Sequence, residues 1–118
     1  MAIPSGSGTE VLKRARVDGM AASEVTLLTV PSNHIYIVTT MFFMNRSTSA
    51  TRTFNLYVDY DGSGSADGFI LIQQSIPPSG TFVFDNKLIL TAADKLHGVG
   101  SSSAEIDIHI NYIDQDWS

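Results

Sequence analysis

The sequence predicts an all-β protein, a single antiparallel β-sandwich of about eight strands that is jelly-roll-like or immunoglobulin-like, with an extended N-terminal arm. The stretch 104–114 alternates apolar and polar residues with a period of two, the pattern of a strand with one buried face. Other β-branched and aromatic runs recur about every 8–12 residues, a spacing typical of sandwiches and barrels. No segment shows a convincing helical periodicity.

Turn residues separate the predicted strands. Pro31 ends the second one, because proline cannot donate to a central ladder. Asp18 and Gly19 are predicted to form a turn after the first strand. Both faces of the run 35–44 are apolar, so this strand is either central in the sandwich or partly covered by another subunit. The predicted strands are residues 10–17, 25–30, 35–44, 52–58, 69–76, 81–90 with a break at 85–86, 93–99 and 104–114.

The chain of 118 residues fits one domain. Residues 1–9 are rich in glycine and serine and offer little apolar surface, which predicts an extended arm that becomes ordered only against a neighbouring subunit. Residues 10–118 are predicted to form the β-sandwich domain.

The composition excludes several classes of protein. No cysteine is present, so neither a disulfide framework nor a thiolate metal site exists. The net charge of −5 disfavours nucleic-acid binding, which needs clustered Lys and Arg. No run approaches the ~20 apolar residues of a membrane span, and the first residues lack the pattern of a signal peptide. We expect no nucleic-acid partner and no membrane partner.

Five residues are candidates for binding a partner. Lys13, Arg14 and Arg16 form a basic cluster in an otherwise acidic chain; they either face solvent or dock on an acidic neighbouring subunit. Ile3 is the apolar anchor of the predicted arm and is suited to a pocket on a neighbour. Trp117 either packs on its own domain or inserts into a neighbour's pocket, where tryptophan is enriched among binding hot spots.

One loop resembles the start of a calcium site. Asp59, Asp61, Ser63 and Asp67 place oxygen atoms at alternate positions, and calcium binds six to eight oxygens. The twelfth position is Ile70, where a bidentate glutamate is needed, and no helices flank the loop. The alternative is a solvated hairpin loop of turn-forming residues. No other cofactor is expected.

No catalytic motif is visible. His34, His97 and His109 are far apart and lack metal-ligand spacing, so they are interpreted as surface or edge residues. No nucleophile elbow accompanies the serines. Each carboxylate stands in a polar or turn context, whereas a catalytic acid needs an environment that raises its pKa. We expect that the protein is not an enzyme.

Several segments carry a family resemblance: an apolar strand that closes on Asn45-Arg46-Ser47, an Ile76-Pro77 turn, and the run 87–96 before the last hairpin, together with 8–15 and 27–31. In this order they resemble small β-sandwich virion proteins of tailed bacteriophages. Such proteins often have Leu-x-Ala-Gly-Asp-x-Leu in the turn before the last hairpin. Ala93 stands where glycine is common, so the turn must avoid a positive φ or bear strain.

This resemblance implies a structural virion protein, foremost a capsid decoration or cement subunit that binds and stabilises the assembled shell. The implied partners are copies of itself, as a trimer, and the major capsid protein or another virion protein. The implied location is the virion, after synthesis in the host cytoplasm. A neck, tail or fibre component is the alternative within this class. A carbohydrate- or receptor-binding module is the competing class, with Tyr57, Tyr60 or Trp117 available to stack on a sugar.

Overall fold

The computed structural model describes residues 8–20, 22–64, 68–101 and 104–117. The strands in this part of the chain are β1 Thr9–Met20, β2 Val25–Thr29, β3 His34–Asn45, β4 Arg52–Asp59, β5 Gly68–Ile76, β6 Thr81–Phe84, β7 Leu88–Leu90, β8 Lys95–Gly100 and β9 Ile106–Asp116. They form two antiparallel sheets packed together, which confirms the predicted all-β sandwich. The large sheet has the order β1-β9-β3-β6, with β7 also paired to β3; the small sheet has the order β2-β8-β4-β5.

The alternation predicted for the last strand places the core between the sheets. Ile106, Ile108 and Ile110 of β9 are buried, and the polar residues between them lie on the opposite face. Burying each such side chain contributes about 1.5–3 kcal/mol. Phe43 of β3 stacks on Phe54 of β4 with 4.2 Å between ring centroids, so it joins the large sheet to the small one.

The predicted sixth strand is two strands, because the chain leaves the sheet between β6 and β7. Both pair with β3, so β3 is central in the large sheet, between β9 and this interrupted strand. The first and last strands are neighbours, whereas an immunoglobulin domain places its first strand beside its second. The order favours the jelly-roll-like alternative. Across the described residues, no helix has the length and hydropathy needed to cross a membrane.

The turn predicted at Asp18 and Gly19 is wrong, because both residues lie within β1. The register between β1 and β9 shifts between Val17 and Met20, which marks a β-bulge. Gly19 has a φ of +76°, and its N–H donates to Asp107 Oδ1 at 2.8 Å. The side chain of Asp107 thus takes the place of a ladder partner, and the strand bends without ending.

A buried amide at the end of β3 fastens two loops together. Asn45 is fully buried, and its Oδ1 accepts a hydrogen bond from Ser47 N at 2.9 Å. Its Nδ2 donates to the carbonyl oxygens of Ala50, Ile76 and Pro77 at 2.8, 3.1 and 3.2 Å. The Asn-x-Ser motif therefore ties the loop after β3 to the Ile-Pro turn after β5, which explains in physical terms why the two features occur together in this chain.

Asp94 organises the turn between β7 and β8. Its Oδ2 accepts hydrogen bonds from the backbone N–H and the hydroxyl of Thr91 at 2.9 and 3.2 Å. Its Oδ1 accepts from Asp61 N at 3.0 Å, which connects this turn to the loop after β4. Within the turn Ala93 has a φ of +72°. The sequence allowed two alternatives at Ala93: the turn avoids a positive φ, or it bears strain. The structure has the positive φ and therefore the strain.

Replacing Asn45 by alanine is expected to lower the free energy of unfolding by about 1–3 kcal/mol, because buried backbone carbonyls lose their donor. Urea unfolding followed by circular dichroism measures the change. Asn86→Ala, in the exposed break between β6 and β7, is the matched control and should stay within about 0.5 kcal/mol of the parent. Equal stability of the two variants would show that the amide does not hold the loops.

Replacing Ala93 by glycine is expected to raise the free energy of unfolding by about 0.5–1 kcal/mol, since glycine adopts a positive φ without strain. The adjacent Ala92 is not among the residues with positive φ, so Ala92→Gly should destabilise by a similar amount. Thermal unfolding of both variants beside the parent separates the two effects. A lower melting temperature for Ala93→Gly would contradict the assignment of strain.

Candidate functional site

The outer face of the large sheet, which is turned away from the small sheet, carries a row of apolar side chains. Leu12 on β1 pairs with Ile113 on β9. Ile37 on β3 pairs with Ile113 on one side and with Ile89 on β7 on the other. Directly paired residues point to the same face, so these four residues, here called the apolar row, cross the whole sheet. At its two ends Leu12 is 82% exposed and Ile89 is 64% exposed.

A second apolar group lies farther along the same face. Phe42 on β3 pairs with Val83 on β6, and both are exposed, as is Met44 two positions beyond. The sequence left open whether β3 is central or covered by another subunit. The structure shows that β3 is central in the large sheet, with one face in the core. On its other face Phe42 and Met44 are exposed, and coverage by another subunit stays a prediction.

The alternation of β1 divides the predicted basic cluster. Lys13 pairs with Tyr112 and points to the inner face, whereas Arg14 and Arg16 are exposed on the outer face beside the apolar row. Arg16 Nη2 lies 3.8 Å from Asp18 Oδ2. No carboxylate of the described residues lies within ion-pairing distance of Arg14. Two of the three predicted partner-binding bases therefore share a surface, and the third does not.

Lys13 instead belongs to a polar cluster on the inner face. Its Nζ lies 2.8 Å from Asp114 Oδ2, and His34 Nδ1 lies 2.7 Å from Asp114 Oδ1. Asp114 is only 4% exposed. Its context is polar, as expected, because Lys13 and His34 surround its carboxylate, but its burial was not predicted. A signal was present in the sequence, because Asp114 continues the buried alternation that runs through Ile110 and Tyr112.

Opposing effects set the pKa of Asp114. Burial raises the pKa of this carboxyl, but hydrogen bonds from Lys13 and His34, together with their charges, outweigh burial and hold the pKa below its ordinary value. The same hydrogen bond raises the pKa of Lys13. The ionised carboxylate is therefore favoured in the folded state.

Trp117 lies at the end of the large sheet where β1 begins. Its backbone N–H donates to Asn33 O at 2.8 Å. A Cβ placed on Gly8 would lie 2.9 Å from the indole, so the ring fills the space that a side chain there would need. Its Nε1 is buried and has no acceptor among the described residues. Trp117 thus packs on its own chain, and its insertion into a neighbour stays a prediction, as does the role of Ile3, which lies outside the described residues.

The predicted calcium loop begins at a carboxylate that is bound by protein donors. Asp59 is buried; it accepts a hydrogen bond from Ser63 Oγ at 3.1 Å and from Gly64 N at 3.1 and 3.0 Å to its two oxygens. Asp61 is exposed, and Asp67 lies outside the described residues. Within the described ranges, no group of three or more His, Cys, Asp or Glu residues is placed to hold a metal ion. Calcium binding here stays a prediction.

The small sheet contains a buried histidine that the sequence did not reveal. His97 is 5% exposed, so its interpretation as a surface or edge residue is wrong. Its Nδ1 lies 3.2 Å from Thr26 Oγ1, and its Nε2 lies 3.8 Å from Asp59 Oδ2. The Tyr57 ring packs against the imidazole, and its hydroxyl donates to Glu24. The separation of His97 Nε2 and Asp59 Oδ2 is longer than a hydrogen bond.

Comparisons with known proteins identify the fold. No protein family matches the chain, and no curated protein matches its sequence. A chain from Bacillus endospore appendages, described as disulfide-linked pili, superposes with a TM-score of 0.56 and 17% identity, over 100% of this chain and 97% of that one. A chain from the acid-stable capsid of Helicobacter pylori bacteriophage KHP30 gives 0.54 and 10%, over 98% and 92%. At these identities the likeness shows a shared fold alone.

Asp114→Asn is expected to lower the free energy of unfolding near neutral pH by about 1–2 kcal/mol, because the charge-assisted hydrogen bonds are weakened. A folded-state pKa below the unfolded value of about 3.9 stabilises the protein above that pH and stops doing so as pH falls through the folded pKa. The difference between parent and variant should therefore shrink toward about pH 2. Urea unfolding across this range measures it.

The matched control for this prediction is Asp85→Asn, at an exposed position between β6 and β7. It removes a carboxylate of the same type without touching the inner cluster, so its effect should be small at every pH. A constant difference between Asp114→Asn and the parent down to the lowest pH would contradict a lowered pKa.

Proposed function

We propose that this chain is a structural subunit of a bacteriophage virion, and that it decorates and stabilises the assembled capsid. The observation that carries the proposal is the whole-chain likeness to a chain of the phage KHP30 capsid, in which 98% of this chain aligns with 92% of that one. One small sandwich thus matches another from end to end. The aligned parts make up nearly all of both chains, so the two chains are of similar length.

The surface chemistry supports a role in assembly. The apolar row and the group around Phe42 leave several large apolar side chains exposed on the outer face of the large sheet, a feature that marks surfaces which bind protein. Exposed Arg14 and Arg16 flank it and suit an acidic partner surface. A subunit that binds the closed shell and not its free components stabilises that shell by mass action. The partners in this proposal are copies of this chain and the major capsid protein, and no catalytic step is required.

A fibre component is the second candidate. The observation that favours it is the likeness to a subunit of Bacillus endospore pili, with a TM-score of 0.56. Those pili are described as disulfide-linked, whereas residues 1–118 of this chain contain no cysteine and so supply no disulfide to a fibre. The carbohydrate-binding alternative is weakened at one residue, because Tyr57 is buried, although Tyr60 is exposed.

Quantitative mass spectrometry of purified particles tests the proposal. A decoration subunit occupies repeated positions on the shell, so its copy number should be of the same order as that of the major capsid protein. A few copies per particle would favour a neck, tail or fibre component. Absence from the particles would refute a virion role, and saturable binding of the free protein on a glycan array would favour the carbohydrate-binding class.

Removing this chain from particles and then adding it back supplies the control for the stabilising role. Particles stripped of this chain should be less resistant to heat than complete particles, and adding the purified chain back should restore their resistance. The trimer implied by the resemblance stays a prediction, which the symmetry of the chain on the decorated shell would decide.

A further inference from the structure

The charges beside the apolar row are arranged in a way that makes the outer face self-complementary. On β1 the outer-face residues in succession are Glu10, Leu12 and Arg14, so the exposed end of the apolar row has an acid two residues before it and a base two residues after it. Glu10 accepts a hydrogen bond from Gln115 Nε2 at 3.0 Å, which keeps its carboxylate on this face.

We infer that this face binds the same face of a second copy of the chain about a two-fold axis that lies along the apolar row. Such an axis superimposes the row of one copy on the row of the other, so that Leu12 meets Leu12 and Ile89 meets Ile89. The strands of the two copies then run nearly parallel to a common line, as in aligned packing of two sheets. An isologous contact of this type uses the same patch on both subunits.

The same axis brings opposite charges together. On β1, Glu10 precedes Leu12 by two residues and Arg14 follows it by two. Rotation about the row exchanges these two sides, so Arg14 of one copy lies opposite Glu10 of the second copy. The contact occurs twice because of the two-fold symmetry. Arg14, which no described carboxylate neutralises within its own chain, thereby gains a partner.

Trp117 fits the same arrangement. By the alternation of β1, a side chain at Gly8 would point to the outer face with Glu10 and Leu12, and the indole fills that space. Gly8 is four residues before Leu12, and Arg16 is four residues after it. The axis therefore places Arg16 over the Trp117 ring of the second copy, a pairing that suits a cation–π contact.

The other in-plane axis that keeps the strands of the two copies aligned is parallel to the strands, and it is disfavoured by charge. It would exchange the two edges of the sheet, so that β1 of one copy would face β7 of the other. Arg14 would then lie opposite Lys87, which is exposed two residues before Ile89 and shares its face by alternation. Like charges in this position repel, so the axis along the row is the one that the sequence supports.

Charge reversal tests the pairing. In Glu10→Arg the new arginine faces Arg14 of the second copy twice per dimer, and in Arg14→Glu two acids face each other, so each variant should raise the dimer dissociation constant about tenfold. The double variant restores an opposite-charge pair at both places and should return the constant to within about threefold of the parent. Sedimentation equilibrium across micromolar concentrations measures all four proteins.

Apolar substitutions provide the matched control. Leu12→Asp should give a monomer, whereas Ile72→Asp, on β5 of the small sheet at 66% exposure, should leave the dimer intact. Both residues are exposed, so both variants should keep the parent circular-dichroism spectrum. A parent that is monomeric or trimeric in solution would overturn the inference, as would a double variant no better than either single one. These measurements need no particles, so their outcome is separate from that of the proposed virion role.

Discussion

The register of β9 is the constraint on which the rest of the large sheet depends. This strand pairs with β1 on one side and with β3 on the other, and its alternating isoleucines enter the core. A slip of one residue would turn Ile106 and its partners to solvent and bury His109 instead. The cost of that exchange fixes the register. Once the register is fixed, it also determines to which face each residue of the neighbouring strands points. It therefore places Lys13 on the inner face and Arg14 on the outer face.

Much of this arrangement could be predicted from the sequence, because period-two alternation is a local signal. The eight predicted segments correspond to the observed strands, and the break predicted at 85–86 separates β6 from β7. The bulge at Gly19 could not be predicted, since an Asp-Gly pair has the same local preference in a turn as in a bulge. What decides between them is Asp107 on a distant strand, which accepts the Gly19 N–H. Long-range partners of this kind leave no trace in local composition.

Asp59, a candidate calcium ligand, has structural partners, as do two other buried polar residues. Asp94, Asp59 and Asn45 are buried, and each satisfies backbone donors or acceptors in a loop that has no ladder of its own. Leaving such groups unpaired would cost about 1–3 kcal/mol each, so a sandwich with long connections needs side chains of this type. His97 was missed for a related reason: its burial depends on the Glu24 and Asp59 segments that surround it, and neither is adjacent in sequence.

The two faces of the large sheet thus differ in how far they are covered within a single chain. Most of the inner face is covered within one chain: its core residues pack against the small sheet, and the part beyond, where Val11 is 50% exposed, holds ion pairs around Asp114. The outer face presents the apolar row, and beside it Arg14 has no carboxylate within ion-pairing distance among the described residues. Leu12 and Ile89 at the ends of the row are the exposed members, and Glu10 and Arg14 lie two residues to either side of Leu12. Exposed apolar surface of this kind gains free energy when another molecule covers it, which is the physical reason to look for a partner on the outer face.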